Sequence, residues 1–233
     1  KHIIHHSHLS ENRFSRIELT QTVRTFMEDY EPLLRSDWTI YRGGAVIFRR
    51  TENCILHDCY IHNVGGNGIF FDKYNRHSAI TGSFLTSIGA SAICFVGDPA
   101  GVRSPSFRYE EFVTLDKMDR AKGPLNENHP AYCEVYNNLI CNIGLFEKQI
   151  TGVELSMCRN ITISHNSIYD TPRAGINISE GTWGGHIIEH NDIFNTVKET
   201  GDHGSINSWG RDRFWHPDYN IMAQIVCEHP ALI

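Results

Sequence analysis

One pattern constrains this chain more than any other: a short apolar–polar motif that returns five times. The segments are "ILHDCYIHNVGGNGIFF", "ITGSFLTSIGASAICFV", "VYNNLICNIGLFEKQITGVELS", "ITISHNSIYDTPRAGINIS" and "IIEHNDIFNTVKETGDHGSINS". Anchored on the polar residue after the first apolar pair, they begin at Asp58, Ser83, Asn138, Asn166 and Asn191, in steps of 25, 55, 28 and 25 residues. A second anchor is apolar: Ile61, Leu85, Ile140, Ile168 and Ile193. A third is apolar too: Ile69, Ile93, Val153, Ile176 and Ile206. Each repeat thus holds three short alternating stretches separated by turn residues, which is strand patterning. Repeats of this length stack their units, because one unit cannot bury its own apolar face.

The fold expected is all-β, a right-handed parallel β-helix in one domain over residues 1–233. Its strands lie about 4.8 Å apart from coil to coil. The Asn column then acts as scaffold, its side chains bonding along the stack. The following column, Asn63, Ser87, Asn142, Asp170 and Asn195, reads as turn chemistry. Two stretches break the pattern. Residues 20–36 predict a short helix on a loop. Residues 98–131 form a long insertion holding four of the eight prolines, and long loops often carry function. The chain starts and stops inside a coil, so further coils or caps are expected at both ends.

Composition narrows the function. A net charge of −6, without a Lys/Arg run, leaves nucleic-acid binding no electrostatic footprint. No apolar run approaches the roughly 20 residues of a membrane span. Seven cysteines include no C-x-x-C pair, so they read as small buried hydrophobes rather than metal ligands or disulfides. No metal or cofactor is expected. The histidines of "HIIHHSHL" read as strand decoration.

Function on such a scaffold must lie on outward positions or inserted loops. The second and third anchors are 8 residues apart in three repeats (Ile61 to Ile69, for example) but 13 apart from Ile140 to Val153 and from Ile193 to Ile206. Both longer turns are polar and border the same sheet. Alternation turns Phe70, Cys94, Glu154, Asn177 and Asn207 outward, so the face becomes polar toward the later coils. Ser156, Ser179 and Trp209 form a second outward column. Glu180, Trp183, Arg211 and Asp212 fall at the far ends of the strands. Together with Arg173, Asp202 and His203 they predict a groove suited to a saccharide, with Trp faces for sugar rings and Asn, Arg and His for hydroxyls. Plainer readings accompany each: Trp209 covering core, Arg211 and Asp212 pairing ions, Glu154 pairing with Lys148 or Arg173.

The run "IYDTPRAGINISEGTWGGHIIEHNDIFNTVKETGDHGSINSWGRDRFW", with "DWTIYRGGAVIF" and "ICFVGDPAGVRSP", resembles the β-helical hydrolases of glycoside hydrolase family 141, which includes α-L-fucosidase and xylanase activities on plant cell-wall polysaccharides. The resemblance implies a secreted, periplasmic or cell-surface bacterial enzyme with two catalytic carboxylates. Asp202 matches one. The family pattern puts the other in the following coil, and Glu180 and Asp212 are the candidates within this chain. An acid one coil from Asp202 fits the 5–5.5 Å separation of a retaining glycosidase. Glu154, Arg173, Asn177, Trp183, His203, Asn207, Trp209 and Arg211 are then substrate binders.

Three functions compete. A glycoside hydrolase uses Asp202 and a partner acid. A polysaccharide lyase or uronate epimerase uses Arg173 or Lys148 as base. A non-catalytic β-helix only binds carbohydrate.

Overall fold

A computed structural model describes residues 4–7, 11–33, 39–104, 113–114, 116–119, 121, 123–179, 183–201 and 203–208. Three parallel sheets run the length of these residues. Sheet A is the longest: Ile4–Ser7, Val46–Glu52, Ile69–Arg76, Ile93–Val96, Val153–Ser156, Ile176–Ile178 and Ile206–Ser208 lie side by side in that order. Sheet B runs from Arg13–Ser15 through Ile55–His57, Ala79–Thr81, Glu134–Tyr136 and Thr162–Ser164 to Ile187–Glu189. Sheet C runs from Glu18–Thr20 through Tyr60–Val64, Phe84–Ile88, Leu139–Ile143 and Ser167–Tyr169 to Asp192–Phe194. The chain passes B, C, A in each coil, which is the expected parallel β-helix.

The apolar anchors fall inward in register. Ile69, Ile93, Val153 and Ile176 pair across sheet A, and Ile61, Leu85, Ile140 and Ile168 across sheet C. All eight are fully buried. Two positions on in sheet A, Phe71 stacks between Phe48 and Phe95, with centroids 4.7 and 4.5 Å apart. Ile206 continues the column by register with Ile176 but is 48% exposed, because no described strand stacks beyond it. Six of the cysteines are buried thiols, and Cys227 lies outside the described residues.

The polar ladder forms between sheets B and C. The Asn138 amide N–H donates to Asn166 Oδ1 (2.9 Å), and the Asn166 amide N–H to Asn191 Oδ1 (3.0 Å). Their side-chain amides donate to Ile80, Val135 and Ile163 carbonyls. Each Asn therefore satisfies backbone groups that the sharp bend would otherwise leave buried and unpaired. Asp58 is not in this column. Cys59 occupies it, its N–H donating to Ser83 Oγ. The residue before each ladder position is left-handed instead: Asp58, Gly82, Asn137, His165 and His190, with φ of 54, 58, 54, 59 and 54°. The predicted turn column is left-handed as well, at Asn63, Ser87, Asn142, Asp170 and Asn195, with φ between 49 and 54°.

The helix expected over 20–36 does not form among its described residues. They hold a turn near 26–28 and the strand Glu31–Pro32, antiparallel to Thr39–Ile40. Tertiary partners override the local propensity: Thr25 Oγ1 donates to Glu147 (3.1 Å), and the Arg24 guanidinium sits 4.1 Å from the Phe146 ring centroid. This segment and the described parts of the insertion at 98–131 close over the outward face of sheet A. Leu33, Ile40, Ile47, Phe70, Cys94, Val96, Val102, Met157 and Trp183 form a second apolar cluster there.

Candidate functional site

Sheet A carries two outward columns. The first reads Ile47, Phe70, Cys94, Glu154, Asn177 and Asn207 in strict register. The second begins Arg49, Asp72, Val96 and Ser156. The first is apolar from Ile47 to Cys94, where the second cluster covers it, and polar from Glu154 on; the second has one apolar residue, Val96, between Asp72 and Ser156.

At the later coils a hydrogen-bonded chain runs along the face. Asn177 Nδ2 donates to Glu154 Oε2 and to Ser179 Oγ, both at 2.9 Å. Ser179 Oγ donates to Glu154 Oε1. Asn207 Nδ2 donates to Asn177 Oδ1 (2.8 Å). Glu154, Asn177 and Ser179 are buried, whereas Asn207 is half-buried. This orients both amides: Asn207 directs one N–H inward, and its Oδ1 is the acceptor at the outer end of the chain. Burial pushes the Glu154 carboxyl up to about 8, against the opposing effects of Ser179, Asn177 and Arg173. It is therefore mostly neutral at pH 7. Burial and the neighbouring Glu154 raise the Cys94 thiol as well, which makes it unreactive.

The groove expected from the sequence is more enclosed than the pattern implied. Glu154 and Asn177 are 0% exposed, Arg173 4% and Trp183 6%. Trp183 is no rim residue. Its ring lies 4.8 Å from His129 at 55°, in the second apolar cluster. Val102 and His129 of the insertion at 98–131, whose packing has no periodic signature, cover Trp183 there. Arg173 contacts His203 Nε2 across neighbouring turns. Lys148 pairs with Glu199 at 2.9 Å rather than with Glu154. The fold thus gathers Glu154, Arg173, Asn177, His203 and Asn207 at one end of sheet A. Asp202, Glu180, Asp212, Trp209 and Arg211 lie outside the described residues. Among the described residues no His/Cys/Asp/Glu group is placed to hold a metal ion.

The earlier coils hold a feature that the sequence reading missed. Buried Asp72 accepts from Arg42 Nη1 (2.7 Å) and Arg49 Nε (2.5 Å). Arg42 also binds Glu31 and the carbonyls of Val96 and Gly97. A cleft of about 510 Å³ opens beside them. The available signal was the register itself: Arg49 and Asp72 sit in the second outward column, three residues after Val46 and Ile69.

No family model matches the chain, and no curated protein matches it. Among solved structures it is similar to the A-module of the mannuronan C-5 epimerase AlgE6 of Azotobacter vinelandii, with a TM-score of 0.53 and 8% identity over 88% of this chain and 40% of that one. It is also similar to a structure described as a glycoside hydrolase, with a TM-score of 0.58 and 14% identity over 87% of this chain and 37% of that one. At such identities the likeness shows a shared fold. The chain spans about two fifths of the length of these proteins.

Proposed function

We propose that this chain is the saccharide-processing β-helix of a glycoside hydrolase that acts on a plant-type or other complex polysaccharide outside the cytoplasm or at the cell surface. The observation that carries this reading is the polar chain Glu154–Asn177–Asn207. It ends half-exposed beside the turn at 195–205, where His203 meets Arg173. Asp202 directly precedes His203 in the sequence. Asp202 protonates the leaving oxygen or attacks the anomeric carbon, and Glu180 or Asp212 supplies the complementary carboxyl. Asn207, oriented by its neighbours, accepts from a sugar hydroxyl. His203, Trp209 and Arg211 contact the substrate, and Trp183 backs the wall from within.

A second reading, polysaccharide lyase or uronate epimerase, is favoured by the Arg173–His203 contact, which places a base candidate on the same edge. A panel of glycans separates the two. The hydrolase releases reducing ends, and Asp202→Asn lowers that rate by about 10²–10⁴. Unsaturated products absorbing in the ultraviolet, or unchanged hydrolysis in Asp202→Asn, overturn the assignment.

A further inference from the structure

The cleft on the earlier coils of sheet A is cationic in a chain that is acidic overall. Its walls are Arg42, Arg49, Arg50 and Lys73 against two carboxylates, Asp72 and Asp98, with Asn128 at the edge; the whole chain has 21 Lys and Arg against 27 Asp and Glu. The two acids are already engaged. Asp72 has one oxygen on Arg42 and the other on Arg49. Asp98 accepts from Asn128 Nδ2 (2.6 Å) and the Ala100 N–H (3.1 Å), with Lys73 Nζ at 3.1 Å. Burial pushes the Asp98 carboxyl up, but the Ala100 N–H, Lys73 and Asn128 outweigh it and hold it below its ordinary value. Both acids are spent on positioning cations.

Not all the cations are spent in return. Arg49 uses Nε on Asp72, which leaves its Nη groups, and its side chain is 43% exposed. Arg50 is exposed, and its side chain makes no hydrogen bond or ion pair among the described residues. A built irregularity aims them. Between the pairs Arg49↔Asp72 and Thr51↔Asn75 one strand has a single residue, Arg50, and its neighbour has two, Lys73 and Tyr74. Arg50 and Lys73 are both left-handed, with φ of 55 and 59°. Bulges of this kind re-aim side chains beside binding sites. Here the bulge brings two cations from adjacent coils to one cleft.

We infer that this cleft binds the anionic substituent of an acidic saccharide, a carboxylate or a sulfate ester, with Arg49 and Arg50 as the clamp and Lys73 at its side. Guanidinium groups suit both oxyanions because they donate two parallel N–H bonds. The clamp strand Val46–Glu52 lies three coils from Glu154, about 14 Å along the stack, a separation within the length of a short oligosaccharide. The inference rests on the reading that sheet A takes a glycan, not on which reaction follows.

Calorimetric titration of the whole chain tests it, using tetragalacturonate, its carboxyl-reduced neutral counterpart, and a sulfated neutral tetrasaccharide. An acidic ligand is expected to bind at least tenfold more tightly than the neutral one, with the difference shrinking as salt rises. Arg50→Asn, which keeps a residue tolerant of the left-handed backbone, is expected to remove most of that preference, and Arg49→Gln with Arg50→Asn the rest. Preference for tetragalacturonate identifies carboxylate as the substituent, and preference for the sulfated ligand identifies sulfate. Equal affinity for all three, or a preference untouched by Arg50→Asn in a variant with unchanged melting temperature, overturns the inference. Titration is independent of turnover, so loss of hydrolysis in Asp202→Asn leaves this result readable, and a failed hydrolase reading does not remove it.

Discussion

Two carboxyl groups are buried on the same face of sheet A, two coils apart, and the protein treats them in opposite ways. Asp72 sits between two guanidinium groups at contact distance. Glu154 has an amide and a hydroxyl at contact distance and a cation only further off. Burial is common to both, and the partner that each one meets is what differs. Where guanidinium groups touch the acid, the face is ionic and opens into a cleft. Where neutral donors touch it, the face holds a near-neutral hydrogen-bonded chain leading outward.

The largest break in this comparison is Asp72→Ala. It leaves the guanidinium of Arg42, only 16% exposed, without its deepest partner, and is expected to cost about 3–5 kcal/mol in urea unfolding. A loss below 1 kcal/mol shows that Glu31 alone suffices. Next comes the pH dependence of Glu154. Its folded value is raised from 4.5 to about 8, so burial costs nothing below pH 4.5, and stability falls as pH rises toward 8. Glu154→Gln removes that slope. The variant should gain on the parent by up to about 3 kcal/mol between pH 5 and pH 8, and parallel stability–pH curves contradict a neutral Glu154. Asn166→Ala reaches the shared scaffold instead. It removes the acceptor of the Asn138 N–H and the donor to the Val135 carbonyl, at about 2–3 kcal/mol. Asn207→Ala is the mildest, within about 1 kcal/mol on stability. Its effect should appear as weaker saccharide binding, and unchanged affinity in titration removes Asn207 from the site.

Much of the coil was legible because it is periodic. The inward anchors, the Asn ladder and the left-handed turn column all recur at fixed offsets. The one slip in the ladder has a simple cause. Ser83, Asn138, Asn166 and Asn191 each stand two residues before the inward anchor, and a strict offset selects Cys59 over Asp58. The alternation also placed Glu154, Asn177 and Asn207 in one outward column. Alternation did not show that Glu154 and Asn177 are buried, and Trp183 changed from rim to core because Val102 and His129 of the aperiodic insertion pack with it. The cationic cleft was hidden because Arg42, Asp72, Asp98 and Asn128 come from separate stretches, and the adjacent Arg49 and Arg50 are too short a run to stand out.

The bend between sheets B and C has a consequence for how such a molecule can change. It is one left-handed residue and one ladder residue in every coil from Asp58–Cys59 to His190–Asn191. Every long excursion of the described chain leaves instead from the two other corners, before sheet A at 21–45, 144–152 and 195–205, or after it at 97–129. The B–C bend behaves as a spine and the other corners as open margins. Extra chain can be added or exchanged there without shifting the register of a single strand, and whatever is added arrives at the border of sheet A. New specificity in this architecture would be written as margin loops over a constant page.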